Sequence, residues 1–511
     1  MRALAPVRVR LFLVAWLLCA LHFATNVVRE HYPAFALVAH GSLRCDEWAG
    51  LHPDLFRHTD GHWYANNNVG ASLAAAPVLL LFEPLLAKLE EIGRREAAQA
   101  AAEPETPTFE SDYPLRRKFM AEVRRRGLHL RLGAAAAITA TLVMAPAAAL
   151  LALIVFDLLR RRGVPERRAA ALTLVFALAT PLLFRSALLS HNQLEALVSF
   201  TAFALLWRGG EPAAAPTGRL VAAGLLAGAA VLFDYSGVVL LAALGLYAVA
   251  VERRRSSGAG AAMRAALRFG AGALAGVALL ALTQWWQFGD PLTPAQRWMP
   301  DAHFSVRGWH GFDWPSRDLL WKSLVDPSFG LFAFAPLLLL ALLPVATPAI
   351  LPRRERRLVL AFSAAFLLFC AANQFTRLQW NTGLRALAPL VPFLFLAASD
   401  RLARLSPRAL ALLAAPCALH SWVVAMARAT PPVEPASFAD STIARSWRAL
   451  FAHGIELPWL TVWRQTQPRG GPWWSPMAAP LLVAATIAAL VLLWRVGDRA
   501  ARAAATEERA A

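Results

Sequence analysis

The segment SLRCDEWAGLHPDLF, residues 42 to 56, carries Asp46 and Glu47 side by side and Asp54 shortly after. A carboxylate held where water meets a bilayer loses part of its hydration, which raises its pKa and lets it act as a general base. Neighbouring residues in an extended or loop segment point in different directions. One of Asp46 and Glu47 is therefore expected to face a reacting atom while the other binds or orients. The competing reading is a solvated loop dipeptide.

A second set lies in RSALLSHNQLEALVSF: Arg185, His191, Asn192 and Glu195. Glu195 follows His191 by four residues, so both fit one helical face. Ionisable groups at membrane depth are costly enough to be functional candidates by default. The alternative is a satisfied helix-end cluster, and Asp234 with Tyr235 is open to the same two readings. Trp285, Trp286, Trp298, Trp309, Trp314 and Trp321 crowd a later loop. Flat aromatic faces suit a sugar, but tryptophan also anchors proteins at the membrane interface. The spacing of His31, His40, His52, His58 and His62 matches no fixed ligand pattern, so no metal site is assigned. Cys19, Cys45, Cys370 and Cys417 form no CxxC pair, which argues against a zinc site or a disulfide framework.

The elements that must position these side chains are apolar. Of 511 residues, 58% are hydrophobic and 16% charged, the balance of an integral membrane protein. The net charge of +18 and pI near 11.1 do not indicate nucleic acid. The arginines cluster in short connectors between apolar segments, where the positive-inside rule puts them.

Hydropathy predicts twelve membrane spans, at 11–28, 131–158, 169–187, 189–207, 219–234, 236–251, 265–286, 329–350, 357–373, 384–399, 409–427 and 477–494. Most approach the length that a hydrocarbon core of ~30 Å requires. The first has no small-x-small cleavage site and no small residue just before Cys19, so it is expected to be a retained helix. A further run from Gly70 to Leu89, GASLAAAPVLLLFEPLLAKL, is expected to be re-entrant or interfacial, broken by Pro77 and Pro84. If it crossed, the connectors RRRGVPERR, ERRR and PRRERR would face outward, against the positive-inside bias.

The expected architecture is an all-α polytopic membrane protein with both termini cytoplasmic. Its long segments, 29–130, 287–328 and 428–476, share the outer face. Residues 1–427 are expected to form the functional core, and 428–511 an outer loop, a last span and a tail. Residues 96–112 read as a mobile polar excursion. Glycines 224, 228, 272 and 276 are read as sites of close helix packing. No internal repeat is visible.

An apolar first helix, Asp-Glu in the first outer loop, and DGHWYANNNVGASLAAAP leading into a Pro-containing apolar helix resemble the GT-C superfamily of integral membrane glycosyltransferases. The likeness is to the protein mannosyltransferase and aminoarabinose transferase group, glycosyltransferase family 39. GLLAGAAVLFDYSGVVLL, FGDPLTP, DPSFGLFAFAPLLLLAL and QWNTGLRALAPLVPFLFL are similar to segments of such bacterial proteins, in the same order. The resemblance covers most of the chain to about residue 400.

The resemblance implies transfer of a sugar from a polyprenyl phosphate, with inversion, to an acceptor on the periplasmic face of a bacterial inner membrane. Asp46 is then the expected base, with Glu47 second. Arg385 is expected to hold the leaving phosphate through its bidentate fork. His191, Asn192, Glu195, Arg185, Asp234, Tyr235, Tyr64, Asn67 and Trp380 complete the expected substrate-binding set. Related transferases often carry Lys-Pro after the first-loop aromatic, whereas this chain has Asn66, Asn67 and Asn68. The lysine's role cannot be carried over. No cofactor is expected; the partners are the lipid-linked sugar and the bilayer. The acceptor is left open among protein, lipid A and polysaccharide. The rival readings are a transporter or lipid flippase, and a transferase-like scaffold that only binds lipid. Carriers tend to place ionisable groups near the midplane and to show repeat symmetry, whereas here those groups collect at helix ends. The catalytic expectation requires Asp46 and Arg385 to open onto one chamber, and it fails if Asp46 and Glu47 point into bulk solvent.

Overall fold

A chain that spans a bilayer must satisfy its backbone hydrogen bonds within each segment, and helices do so. The computed structural model describes residues 6–100, 114–207, 217–255, 259–300, 306–344, 349–377, 383–428, 437–466 and 472–510. The first half holds α1 (Val7–Leu21), α2 (His31–His40), α3 (Gly70–Ala100), α4 (Pro114–Arg125), α5 (His129–Thr139), α6 (Ala145–Arg161), α7 (Glu166–Leu178), α8 (Leu182–Arg185), α9 (His191–Trp207) and α10 (Thr217–Phe233). The second holds α11 (Gly237–Arg255), α12 (Ala259–Phe288), α13 (Arg317–Val325), α14 (Leu331–Phe334), α15 (Arg353–Ala372), α16 (Val391–Leu402), α17 (Pro407–Ala427), α18 (Thr442–His453), α19 (Pro458–Thr466) and α20 (Ser475–Ala510). A small antiparallel hairpin, β1 (Leu55–Arg57) and β2 (Trp63–Ala65), is an addition to the all-α expectation.

Among the described residues five stretches are long and apolar enough to cross a membrane: Gly70–Gln99, His129–Arg161, Gly260–Phe288, Pro407–Ala427 and Ser475–Arg499. The protein is predominantly helical with membrane-spanning character. Other expected spans are shorter helices, with 15 residues in α1, 13 in α7 and 12 in α16. The expected span at 329–350 is not one helix. It breaks into α14 and a 3-10 turn, Pro336–Leu342. Pro336 offers no N–H and pushes Ala335 out of the helical region, to φ −141° and ψ 64°.

The expectation that Pro77 and Pro84 break the Gly70–Leu89 run is also overturned, because α3 runs through both for 31 residues. Both prolines lie on its exposed side, seven residues apart, while Ala71, Ala75, Leu79, Leu86 and Gly93 face inward. The packed face keeps the helix together where the ladder loses a donor. The start of α3 abuts Leu232 and Phe233, and Gly93 meets the backbone of Gly127. Arg126, beyond α4, donates to the carbonyls of Glu47 and Ala49 at 3.3 and 2.9 Å. The far end of α3 thus returns to the loop from which the helix starts. The polar excursion at 96–112 falls mostly outside the described residues.

The Arg-rich connectors converge at one end of the bundle. Arg162 donates to the carbonyls of Ala349 and Ile350, Arg168 to those of Leu402 and Leu405, and Arg8 pairs with Asp157. Arg10 near the start of α1 pairs with Asp498 in the later part of α20, so these two helix segments lie on this side. Helices α18 and α19 pack onto the core: Ile443 N donates to Pro327 O, and Trp459 Nε1 to Leu21 O. The glycine reading holds. A Cβ on Gly224, Gly228, Gly272 or Gly276 would run into the facing backbone of α12 or α10.

Candidate functional site

At the opposite end the first loop folds over the helix ends and encloses a cavity of about 1280 Å³. Its wall draws on the segment after α1, on residues 50–55, on α4, on residues 185–192, on the α10–α11 turn, on residues 294–300, 309–312 and 369–376, and on Arg385.

Arg29 and Glu30 lie in the short link between α1 and α2. The Arg29 guanidinium donates to Asp54 Oδ2 at 3.2 Å, to Asn66 Oδ1 at 3.0 Å and to Glu30 Oε1 at 3.3 Å. Asn66 Nδ2 donates back to Asp54 Oδ1 at 3.2 Å. The β1–β2 hairpin holds both residues in place, through Asn66 N to Asp54 O at 3.1 Å. Burial pushes the Asp54 carboxyl up, but Arg29, His52 and Arg385 draw it below its ordinary value. Glu30 is likewise raised by burial and more strongly lowered by its hydrogen bond to His191 and by Arg29, so it stays ionised. Burial lowers the pKa of His52, against the raising effect of Asp54 beside it.

His191, the first residue of α9, joins the two halves of the site. Its Nδ1 lies 2.6 Å from Glu30 Oε1 and its Nε2 3.3 Å from Asp234 Oδ2. Asp234 also accepts from Asn192 Nδ2 at 3.5 Å and from Ser236 N and Oγ at 2.9 and 2.7 Å. Arg185 donates to Ser190 Oγ at 3.3 Å.

Of the sequence candidates, Arg185, His191, Asn192, Asp234, Tyr235 and Arg385 meet on this wall. Asp46 and Glu47 do not. They open a 3-10 turn, Asp46–Trp48, whose buried residue is Trp48, so the two carboxylates turn outward. Asp46 accepts from Trp63 N at 2.7 Å and pairs with His62 at 2.8 Å, with its side chain 45% exposed. Glu47 pairs with His40 at 2.8 Å and is 59% exposed. From the same stretch it is Asp54 that reaches the cavity.

Three other candidates also lie off the wall. Glu195 is buried behind Ser236, whose Oγ is 3.1 Å from Glu195 Oε1. The Tyr64 hydroxyl donates to Asp60 at 2.8 Å while the ring packs on Phe288. Asn67 turns inward and donates to Asn68 O at 2.8 Å; Asn66 faces the cavity instead. Trp380 falls outside the described residues. Trp309 lines the cavity, Trp298 packs against His58 and Phe288, and Trp285, Trp286, Trp314 and Trp321 are exposed.

Sequence reasoning missed Asp54, Arg29, Glu30, His52 and Asn66 as cavity residues. A charged Arg-Glu pair right after an apolar helix was the available signal. Among the described residues no group of three or more His, Cys, Asp or Glu is arranged to hold a metal ion. The site brings ionised carboxylates and planar guanidinium groups to one half-enclosed, part-apolar chamber, which suits proton capture beside a bound oxyanion. The chain matches no family model, no curated protein and no solved structure among those compared with it.

Proposed function

We propose that this chain is an inverting GT-C-type glycosyltransferase that moves a sugar from a polyprenyl phosphate to an acceptor at the periplasmic face of a bacterial inner membrane. About twelve spans and cytoplasmic termini accompany that reading. The observation that carries it is that Asp54 and Arg385 share one cavity within Coulombic range of each other. The base in this reading is Asp54, because Asp46 and Glu47 face away from the chamber; with its pKa lowered rather than raised, Asp54 acts as an ionised acceptor for a proton that becomes acidic only during transfer.

In the transfer, the acceptor hydroxyl oxygen attacks the anomeric carbon from the face opposite the phosphate. The bond from that carbon to the phosphate oxygen breaks and its electron pair leaves with the phosphate. The acceptor proton passes to Asp54 as the bonding oxygen becomes acidic. Arg29, bound to Asp54 and Asn66, orients the carboxylate. Arg385 takes the developing phosphate charge through its planar fork. Leu188, Leu189, Val231 and Val238 supply apolar wall for the lipid tail.

The test incubates purified protein with radiolabelled polyprenyl-phosphate sugars and a membrane extract. Asp54→Asn is expected to slow transfer by about 10²–10⁴-fold, and Asp46→Asn to leave it intact. Transfer unchanged in Asp54→Asn removes the base. Solute uptake or lipid flipping in proteoliposomes, without transfer, favours the transporter or flippase reading instead.

A further inference from the structure

Trp309 lies on the cavity wall and is nevertheless 66% exposed, which places its indole at the open side of the chamber. Trp285, Trp286, Trp314 and Trp321 are exposed too, but none of these four lines the cavity. A tight backbone hairpin holds Trp309. Its N–H donates to Phe312 O at 2.8 Å and its carbonyl accepts from Phe312 N at 3.0 Å. Gly308, His310 and Gly311 turn the chain at φ 56°, 51° and 83°, and a Cβ on Gly308 would run into Phe312 O. The hairpin is fixed in turn to the end of α15. Gln374 N donates to Gly311 O at 2.8 Å, Asp313 N donates to Ala372 O at 3.0 Å, and the Phe312 ring packs on Phe369 with centroids 5.2 Å apart. An indole on a backbone this constrained offers a large flat surface and loses little freedom when a ligand covers it.

The neighbouring wall sets the class of ligand. Gln296, Asn373 and Thr376 lie on it beside the rings of Phe312, Phe369 and Phe375. Amide and hydroxyl groups both donate and accept hydrogen bonds. Among the described residues the segments 294–300, 309–312 and 369–376 bring no carboxylate to the wall, unlike the side formed by Glu30, Asp54 and Asp234. Flat rings interleaved with amides and a hydroxyl match a sugar, whose C–H face is apolar and whose rim is hydroxyl. A polyprenyl tail would strip water from those amides and return no hydrogen bond. The aliphatic wall at Leu188, Leu189, Val231 and Val238 suits it better. These segments also reach the proposed base, because Asn66 Nδ2 lies 2.7 Å from Met299 Sδ and donates to Asp54 Oδ1 at 3.2 Å.

We infer that Trp309, with Gln296, Asn373 and Thr376, forms a saccharide subsite, and that the acceptor is a glycan whose terminal sugar stacks on the indole. The acceptor role rests on the transferase reading: a hydroxyl of the stacked sugar supplies the attacking oxygen, while the donor is held by its phosphate at Arg385.

The test titrates full-length protein, in micelles of a detergent without a sugar headgroup, with cellotriose, mannotriose and chitotriose, followed by saturation-transfer NMR on the sugar protons. At least one trisaccharide is expected to bind, with saturation strongest on the ring C–H protons of a terminal sugar. Trp309→Ala is expected to weaken that binding by about tenfold or more. Trp309→Phe, which keeps a flat ring, restores most of it, and Trp314→Ala leaves it unchanged. No binding by any of the three sugars, or binding untouched by Trp309→Ala, overturns the subsite. With a bound trisaccharide as acceptor in the transfer assay, Trp309→Ala is expected to raise the KM for the trisaccharide about tenfold and to leave the donor KM unchanged. A raised donor KM in its place overturns the acceptor assignment. Binding needs no turnover, which keeps the two readings apart. A trisaccharide bound through Trp309 without any sugar transfer sinks the transferase alone; transfer to a Ser/Thr peptide with no trisaccharide bound sinks the subsite alone.

Discussion

His191 Nδ1 and Glu30 Oε1 lie 2.6 Å apart, joining the link after the first helix to the start of α9 across 161 residues of sequence. Both side chains are almost fully buried. Removing one partner leaves a buried polar group short of a hydrogen bond, at a cost of about 1–3 kcal/mol. Glu30→Ala and His191→Ala are each expected to lower the thermal midpoint strongly, and the double variant to lose less than the sum. Additive losses in a double-mutant cycle contradict the coupling.

His31 supplies a pH signature. It is fully buried, with Nε2 2.9 Å from Thr139 Oγ1 and Nδ1 3.2 Å from Val28 O. Burial lowers its pKa to about 4, against smaller raising effects from the Val28 carbonyl and Glu30. The unfolded chain, with histidine near ~6.5, binds the proton first. Stability is therefore present above about pH 6.5 and declines as pH falls toward 4. Thermal midpoints measured from pH 8 to pH 4 are expected to slope less in His31→Gln than in the parent, and parallel slopes reject the assignment.

The α10–α12 contact is set by small residues. Gly276→Val would place side-chain atoms against Gly228 and Ala229, whereas the site of Gly270 is open. Gly276→Val is expected to destabilise by about 1–3 kcal/mol through overpacking. Gly270→Val carries the same change in helix propensity without the clash and serves as the reference. Equal unfolding midpoints for the two variants rule out close packing as the cause.

Arg385 is expected to govern affinity for the lipid phosphate. A charge-assisted hydrogen bond is worth roughly 1.5–3 kcal/mol, so Arg385→Ala should weaken polyprenyl-phosphate binding by about 10- to 100-fold. Calorimetric titration checks this, and an unchanged affinity removes Arg385 from the phosphate position.

The sequence alone determined the helical, membrane-like character, because apolar runs of this length admit few other folds. It also pointed to the close packing at glycines 224, 228, 272 and 276, which follows from local spacing. The shared end of the Arg-rich connectors followed from their order between apolar runs. Part of the cavity was legible too: Arg185, His191, Asn192, Asp234, Tyr235 and Arg385 are ionisable or polar groups set at the ends of greasy segments.

Which acid faces that cavity was decided only by tertiary structure. Asp46, Glu47 and Asp54 are equivalent in type and close in sequence, and their orientation depends on burying Trp48 and on the β1–β2 hairpin that ties Asp54 to Asn66. Likewise α3 continues through Pro77 and Pro84 because its inward face finds partners in α2 and α5, which local propensity cannot register. Side-chain direction in a loop and the survival of a proline-containing helix are both set by contacts distant in sequence, so neither could be read from the residues in order.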